Sequence, residues 1–144
     1  MAALVDTNIL VCRFDTRFPE KQRVATALLR QGIADASIRI AHQAIVEFVS
    51  AVTKHIRHQE TGVLTPADAR REAEELISQI PVLYPNEQVL RMALRGAAAY
   101  DLNWFDAHMW AYAEVYGLDR IYSEYFQADR VYGTVRVVNP FRQG

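Results

Sequence analysis

Short apolar runs alternate with longer amphipathic segments along the whole chain, and this alternation restricts the fold more than any other feature. Residues 2–5 form a strand-type run that stops at Asp6. Residues 38–41, 82–84, 120–123 and 135–138 have the same character, the last being halted by Asn139-Pro140. The segments between them follow a helical period. Residues 9–14 read as the start of a helix or an ordered loop. Residues 20–32 carry Val24, Ala27, Leu28 and Leu29 on one side and stop at Gly32. Residues 43–58 place Ile45, Phe48, Val49, Val52 and Ile56 in one stripe. Thr65-Pro66-Ala67-Asp68 supplies a cap, a first-position proline and a first-turn acid for a helix that runs to about Ile80, before Pro81. Residues 87–100 and 103–116 complete the set, with Gly117 closing the second. Strands that alternate with helices predict an α/β domain with a small, mostly parallel sheet.

The 144 residues suit one domain, 1–144, and 51% hydrophobic residues suffice for a core without disulfides. Cys12 is the only cysteine, so no intramolecular disulfide forms, which fits the reducing cytoplasm. The first residues lack a basic lead and Asp6 cuts their apolar run, so no secretory leader is expected. No apolar stretch approaches the roughly 20 residues of a membrane span. Net charge is −1, so the overall field does not announce a nucleic-acid binder. Lys21 and Lys54 are the only lysines; the remaining cations are arginines, as genomic base composition alone would produce. Residues 59–64 are the expected flexible connection.

In open parallel sheets, ligands bind beyond the carboxyl ends of the strands. Asp6 and Glu124 follow two predicted strands, Glu47 lies one turn into the helix after residues 38–41, and Asp106 lies in the first turn of the helix opening at Asn103. Four acids from distant parts of the chain therefore fall near one rim. Oxygen ligands of this kind suit hard divalent cations, which activate water and offset charge on a phosphodiester. Each acid also has a plainer reading. Asp6 caps a helix that starts at Thr7. Glu47 sits about 200° around the helix from Ile45, on the solvated side. Asp106 follows Asn103 at the spacing of reciprocal capping, and Glu124 is an ordinary loop acid. Taken alone, these residues predict an acidic metal site and do not select RNA.

A family resemblance adds to this. Val5-Asp6-Thr7-Asn8-Ile9-Leu10 resembles the opening of a PIN domain of the VapC type. Residues 40–48, ending in Val46-Glu47-Phe48, are similar to the family's strand and glutamate-bearing helix. Leu102-Asn103-Trp104-Phe105-Asp106-Ala107 resembles its third acidic motif, Tyr122-Ser123-Glu124 the start of its fourth, and Val137-Val138-Asn139-Pro140-Phe141 its usual ending. The resemblance implies a three-layer sandwich of helix, sheet and helix. It implies cleavage of RNA with Mg2+ or Mn2+, Asp6, Glu47 and Asp106 being the matching acids. Thr7 and Asn8 would shape the loop beside the metal, and Ser123 the opposite rim. The implied partners are a VapB-type antitoxin and a second copy of the chain.

One position departs from the pattern. Where the family places another aspartate after the Ser-Glu pair, this chain has Tyr125, a poor magnesium ligand. Glu124 or the more distant Asp129 could stand in for it. A catalytically silent module that binds antitoxin or RNA is therefore the alternative. A phosphatase or phospho-acceptor reading of Asp6 lacks a second aspartate two residues on and a lysine after a late strand.

The remaining features are weaker. Trp104, Phe105, Trp110, Tyr112 and Tyr116 read mainly as core or interface residues and secondarily as RNA-stacking ones. Arg13 and Arg17, with Lys21 and Arg23, are the candidate phosphate contacts. Lys54, His55, Arg57 and His58 form an expected basic helix end. His42 and His108 lie beside the motif acids, without zinc-ligand spacing and with no glycine-rich phosphate loop in the chain.

Overall fold

The computed structural model describes residues 2–56, 59, 62–126 and 130–142. Its elements are β1 (Ala3–Val5), α1 (Thr7–Cys12), α2 (Pro19–Ala34), β2 (Ile38–Ala41), α3 (His42–Thr53), α4 (Pro66–Gln79), β3 (Val82–Leu83), α5 (Glu87–Tyr100), α6 (Trp104–Val115), β4 (Arg120–Tyr122), β5 (Val131–Tyr132) and β6 (Val135–Val138). The strands form a six-stranded sheet in the order β3-β2-β1-β4-β6-β5. All neighbours are parallel except β5 and β6.

The chain fills one side of the sheet with β2 and β3, then returns to the other side of β1 with β4. The order therefore reverses between β1 and β4, and a crevice opens at the carboxyl ends of strands where this happens. Right-handed crossovers assign α1–α4 to one face and α5–α6 to the other. The packing agrees: α1 meets α2 and α3, α3 meets α4, and α5 lies along α6. The expected three-layer α/β sandwich is thus observed. Between the layers, Leu4, Val5, Ile9, Ile40, Phe48, Ile121 and Val137 are fully buried.

The α5–α6 contact depends on a glycine. A Cβ on Gly96 would lie 2.3 Å from Cζ3 of Trp110, whose ring is nearly buried and whose Nε1 donates to the Tyr132 carbonyl at 2.9 Å. No larger residue permits the two helices to approach this closely.

Four details differ from expectation. α2 does not stop at Gly32 but runs through it to Ala34, with Gly32 buried where a Cβ would strike the Ile38 side chain. Residues 9–14 resolve into the short helix α1, which begins at Thr7 with Asp6 as its cap. α3 ends at Thr53 rather than at residue 58. There the Thr53 hydroxyl donates back to the Val49 carbonyl at 2.7 Å, and the Leu64 N–H of the returning chain takes the Val52 carbonyl at 2.9 Å. Those carbonyls are satisfied without another helical turn. Lys54 and His55 therefore follow the helix instead of forming its end, and Arg57 and His58 lie outside the described residues. Last, β5 joins β6 through Gly133, whose φ of 61° suits glycine; a two-residue strand is too short to announce itself by periodicity. Among the described residues no helix is long and apolar enough to cross a membrane.

Candidate active site

Asp6 stands where β1 gives way to α1, at the reversal point of the sheet. Val5 pairs with Tyr122, and the Asp6 N–H donates to the Tyr122 carbonyl at 3.0 Å. Asp6 therefore leaves the sheet level with Ser123. Its backbone is still extended (φ −74°, ψ 158°), as a capping residue requires, and Oδ1 accepts from the Thr7 N–H at 2.8 Å. Oδ2 accepts from Ser123 Oγ at 2.7 Å and from Asn8 Nδ2 at 3.0 Å.

This network reaches across the sheet. Ser123 is wholly buried, and its hydroxyl also accepts from Asn8 Nδ2 at 3.2 Å and from the Tyr125 N–H at 3.2 Å. Asn8 Oδ1 accepts from the Glu124 N–H at 3.2 Å. Thr7, Asn8 and Ser123 thus each hydrogen-bond to Asp6. Thr7 Oγ1 is a buried oxygen that lacks a hydrogen-bond partner among the described residues.

Glu47 and Asp106 approach from α3 and α6. Gln43, one turn before Glu47, donates through Nε2 to Glu47 Oε1 at 2.6 Å and to the Phe105 carbonyl at 3.2 Å. One amide thereby ties the glutamate of α3 to the first turn of α6. Asp106 receives Asn103 Nδ2 on Oδ2 at 2.8 Å, while its N–H donates to Asn103 Oδ1 at 2.9 Å. Only half of the reciprocal cap is realised: Asn103 caps the Asp106 N–H, while the Asp106 carboxylate takes the Asn103 side-chain amide and stays half-buried, within reach of the Glu47 charge.

The electrostatics link the three acids. Burial pushes the Asp6 carboxyl up to about 6 against the downward pull of its Ser123 and Thr7 hydrogen bonds, and repulsion from Asp106 and Glu47 adds to the rise. Burial, followed by repulsion from Glu47, also raises Asp106, while Asn103 opposes the change. Among the described residues no three histidine, cysteine, aspartate or glutamate side chains are already gathered as a preformed ligand set. Each acid is held by its own neutral partner instead: Ser123, Gln43 or Asn103.

The donors fit a hard divalent cation: three mutually repelling carboxylates, and the orphaned Thr7 hydroxyl next to the most buried of them. Asp6 would be the central ligand, with Glu47 and Asp106 coordinating directly or through water.

The other named residues are placed as follows. Glu124 lies beside Ser123, but its Oε2 is 2.7 Å from Lys21 Nζ. Tyr125 is 72% exposed, and Asp129 lies outside the described residues. Arg17 closes its guanidinium on the buried Asp15, with Nε at 2.9 Å and Nη2 at 2.7 Å, holding that carboxyl below its ordinary range. Arg13 lies over the Phe14 ring at 5.2 Å, and Arg23 pairs with Glu20 at 2.7 Å. Trp110 and Tyr112 are buried, whereas Trp104, Phe105 and Tyr116 face outward. Burial lowers the His108 pKa, and its ring meets Trp104 edge-on at 4.4 Å. His42 faces Tyr84, centroids 5.8 Å apart. A cleft of about 250 Å³ near Arg95, Tyr100, Trp110 and Glu114 is lined by none of the four acids.

Sequence reasoning missed Gln43. Its position four residues before Glu47 was a usable signal, because residues at that spacing meet on one helix face. The contact with Phe105 had no signal in the sequence.

The family model for the PIN domain matches residues 3–131. No curated protein matches. Several solved structures are similar, among them the following three. The toxin–antitoxin complex from Klebsiella pneumoniae contains a chain 19% identical, with a TM-score of 0.65, covering 96% of this chain and 98% of that one. DNA-bound VapBC from Salmonella typhimurium matches at 16% identity and a TM-score of 0.65, covering 95% and 97%. VapBC2 from Rickettsia felis, bound to a promoter DNA fragment, matches at 12% identity and a TM-score of 0.67, covering 95% and 97%. At these identities the likeness is one of fold.

Proposed function

The chain belongs to the PIN-domain family, and from that premise we propose that it is a divalent-metal-dependent endoribonuclease, the toxin of a VapBC-like toxin–antitoxin pair. One arrangement carries the reading: Asp6, Glu47 and Asp106, from three separate elements, lie near enough for the charges of the two half-buried acids to repel that of Asp6. That like-charge cost is relieved when a cation binds.

In this reading Asp6 holds Mg2+ or Mn2+ from the end of β1, with Ser123 and Asn8 fixing the orientation of its carboxylate. Gln43 and Asn103 aim Glu47 and Asp106 at the same ion. When bound, the ion supplies Lewis acidity toward a phosphodiester and acidifies water. Arg13 is the candidate phosphate contact, and Arg17 would have to leave Asp15 to take part. RNA as the substrate rests on the family resemblance. A VapB-like antitoxin as partner is supported by the toxin–antitoxin complexes among the similar folds. A homodimer and a cytoplasmic location complete the proposal.

The test uses the purified chain freed of any antitoxin, with RNA and Mg2+ or Mn2+. Cleavage that Asp6→Asn and Asp106→Asn each abolish is expected. No cleavage, or cleavage that survives both substitutions, refutes the assignment.

A second reading has its own observation. With Tyr125 turned to solvent and Glu124 paired to Lys21, the fourth acidic position is vacant of charge toward Asp6. A silent module that binds antitoxin or RNA fits that arrangement. Robust cleavage by the unaltered chain excludes it, whereas cleavage gained only on Tyr125→Asp favours it.

A further inference from the structure

Glu124 occupies an unusual position. Its backbone is part of the acidic site: its N–H donates to Asn8 Oδ1, the same amide that holds Asp6 Oδ2, and Ser123 before it touches Asp6 directly. Its charge is turned elsewhere. Oε2 lies 2.7 Å from Lys21 Nζ, and the glutamate side chain is only 13% exposed. Lys21, near the start of α2, is itself well held. Its ammonium lies 5.7 Å from the centroid of Phe18 and 5.5 Å from that of Phe141. Cation–π attraction on two rings and a short ion pair fix one of the two lysines of the chain beside the site.

A carboxylate whose own backbone is hydrogen-bonded into an acidic site has two ways to lower its energy. It can join them around a divalent ion, or it can pair with a cation of its own. In this chain the second is built in. We propose that Lys21 is a positioning residue that withholds Glu124 from the cation site, so that the ion is held by three carboxylates and released more readily than a four-carboxylate site would release it. The inference rests on the reading of Asp6, Glu47 and Asp106 as the cation site. Affinity for hard cations follows the number of charged ligands, and partners outside the ligand set shift it by about 10- to 100-fold.

Removing a positive charge would tighten cation binding even without a latch, so the test must separate the two effects. Mn2+ is titrated calorimetrically into the metal-free full chain carrying Lys21→Met, Glu124→Gln, both, or Asp6→Asn, with urea unfolding confirming that each variant is folded. Lys21→Arg, which retains the pair, serves as the conservative control. We expect Lys21→Met to bind Mn2+ about tenfold tighter, Glu124→Gln alone to bind like the unaltered chain, and the double variant to lose the gain. Lys21→Arg should match the unaltered chain. If Lys21→Met tightens binding equally with and without Glu124→Gln, the effect reduces to plain repulsion and the proposal is overturned, as it is by no tightening at all. If the unaltered chain binds Mn2+ through Asp6 and Lys21→Met changes nothing, the latch falls and the metal site stands. If Mn2+ binding appears only in Lys21→Met and depends on Glu124, the three-acid site falls and the proposal is overturned with it. If no variant binds, both fall.

Discussion

Asp6→Asn should stabilise the metal-free protein while abolishing its activity. Burial and two neighbouring acids raise the Asp6 carboxyl from an ordinary 3.8 to about 6. Below about pH 3.8 both the folded and the unfolded chain are protonated there, and Asp6 contributes nothing. As pH rises toward 6 the unfolded chain releases its proton first, so stability falls. Above 6 the full penalty is present, about 3 kcal/mol at about 1.36 kcal/mol per pH unit. Asparagine removes the charge but places an amide where Oδ2 accepts two hydrogen bonds, and losing that acceptor costs about 1 kcal/mol. The variant should therefore be more stable by about 2 kcal/mol at pH 7.5. At pH 4.5 only about 1 kcal/mol of the charge penalty remains, and the two proteins should unfold together. The assay is urea unfolding in EDTA at both pH values, comparing the variant with the unaltered chain so that other titrating groups cancel. Saturating Mn2+ should then reverse the order, since about 100-fold excess over Kd stabilises only the chain that binds it, by about 2.7 kcal/mol. A variant that is less stable at pH 7.5, or a gap that does not change with pH, refutes the account of Asp6 as a buried, repelled carboxylate.

Other outcomes follow from the same geometry. Ser123→Ala removes the 2.7 Å donor on Asp6, so the pH at which metal-free stability declines should move to higher values; an unmoved profile refutes the role. Gly96→Ala drives a methyl into the Trp110 ring and should lower stability by about 1–3 kcal/mol in urea unfolding, with cleavage retained when the protein is folded. Asn103→Ala removes both the α6 cap and the Asp106 partner; it should lower stability by about 1 kcal/mol and reduce cleavage, whereas Asn103→Ser, which keeps a neutral capping oxygen, should restore most of the stability.

The order of elements was legible because strands, stripes and caps are local properties. Thr65 and Asn103 cap their helices as their spacing predicted. The strand-end positions of Asp6 and Glu124 were legible for the same reason. Glu47 was harder: a helical period separates the apolar stripe from the polar face, but it does not say which neighbour covers the polar face. α6 does so here, through Gln43 and the Phe105 carbonyl. The fate of Glu124 lay beyond any pattern, because its partner Lys21 is 103 positions away and is brought to it only by the parallel order of the sheet. The early end of α3 was hidden likewise, since the group that takes the Val52 carbonyl belongs to the returning chain at Leu64.

The hydrogen bond from Ser123 to Asp6 joins positions 117 apart in the chain. During synthesis, Asp6 leaves the ribosome well before Ser123, and the 117 positions between them must be made before β4 arrives beside β1. Until then it has neither its sheet neighbour nor the hydroxyl that orients it. On the proposed reading, the acid assigned to the cation would thus stay without its orienting partner until β4 has been made.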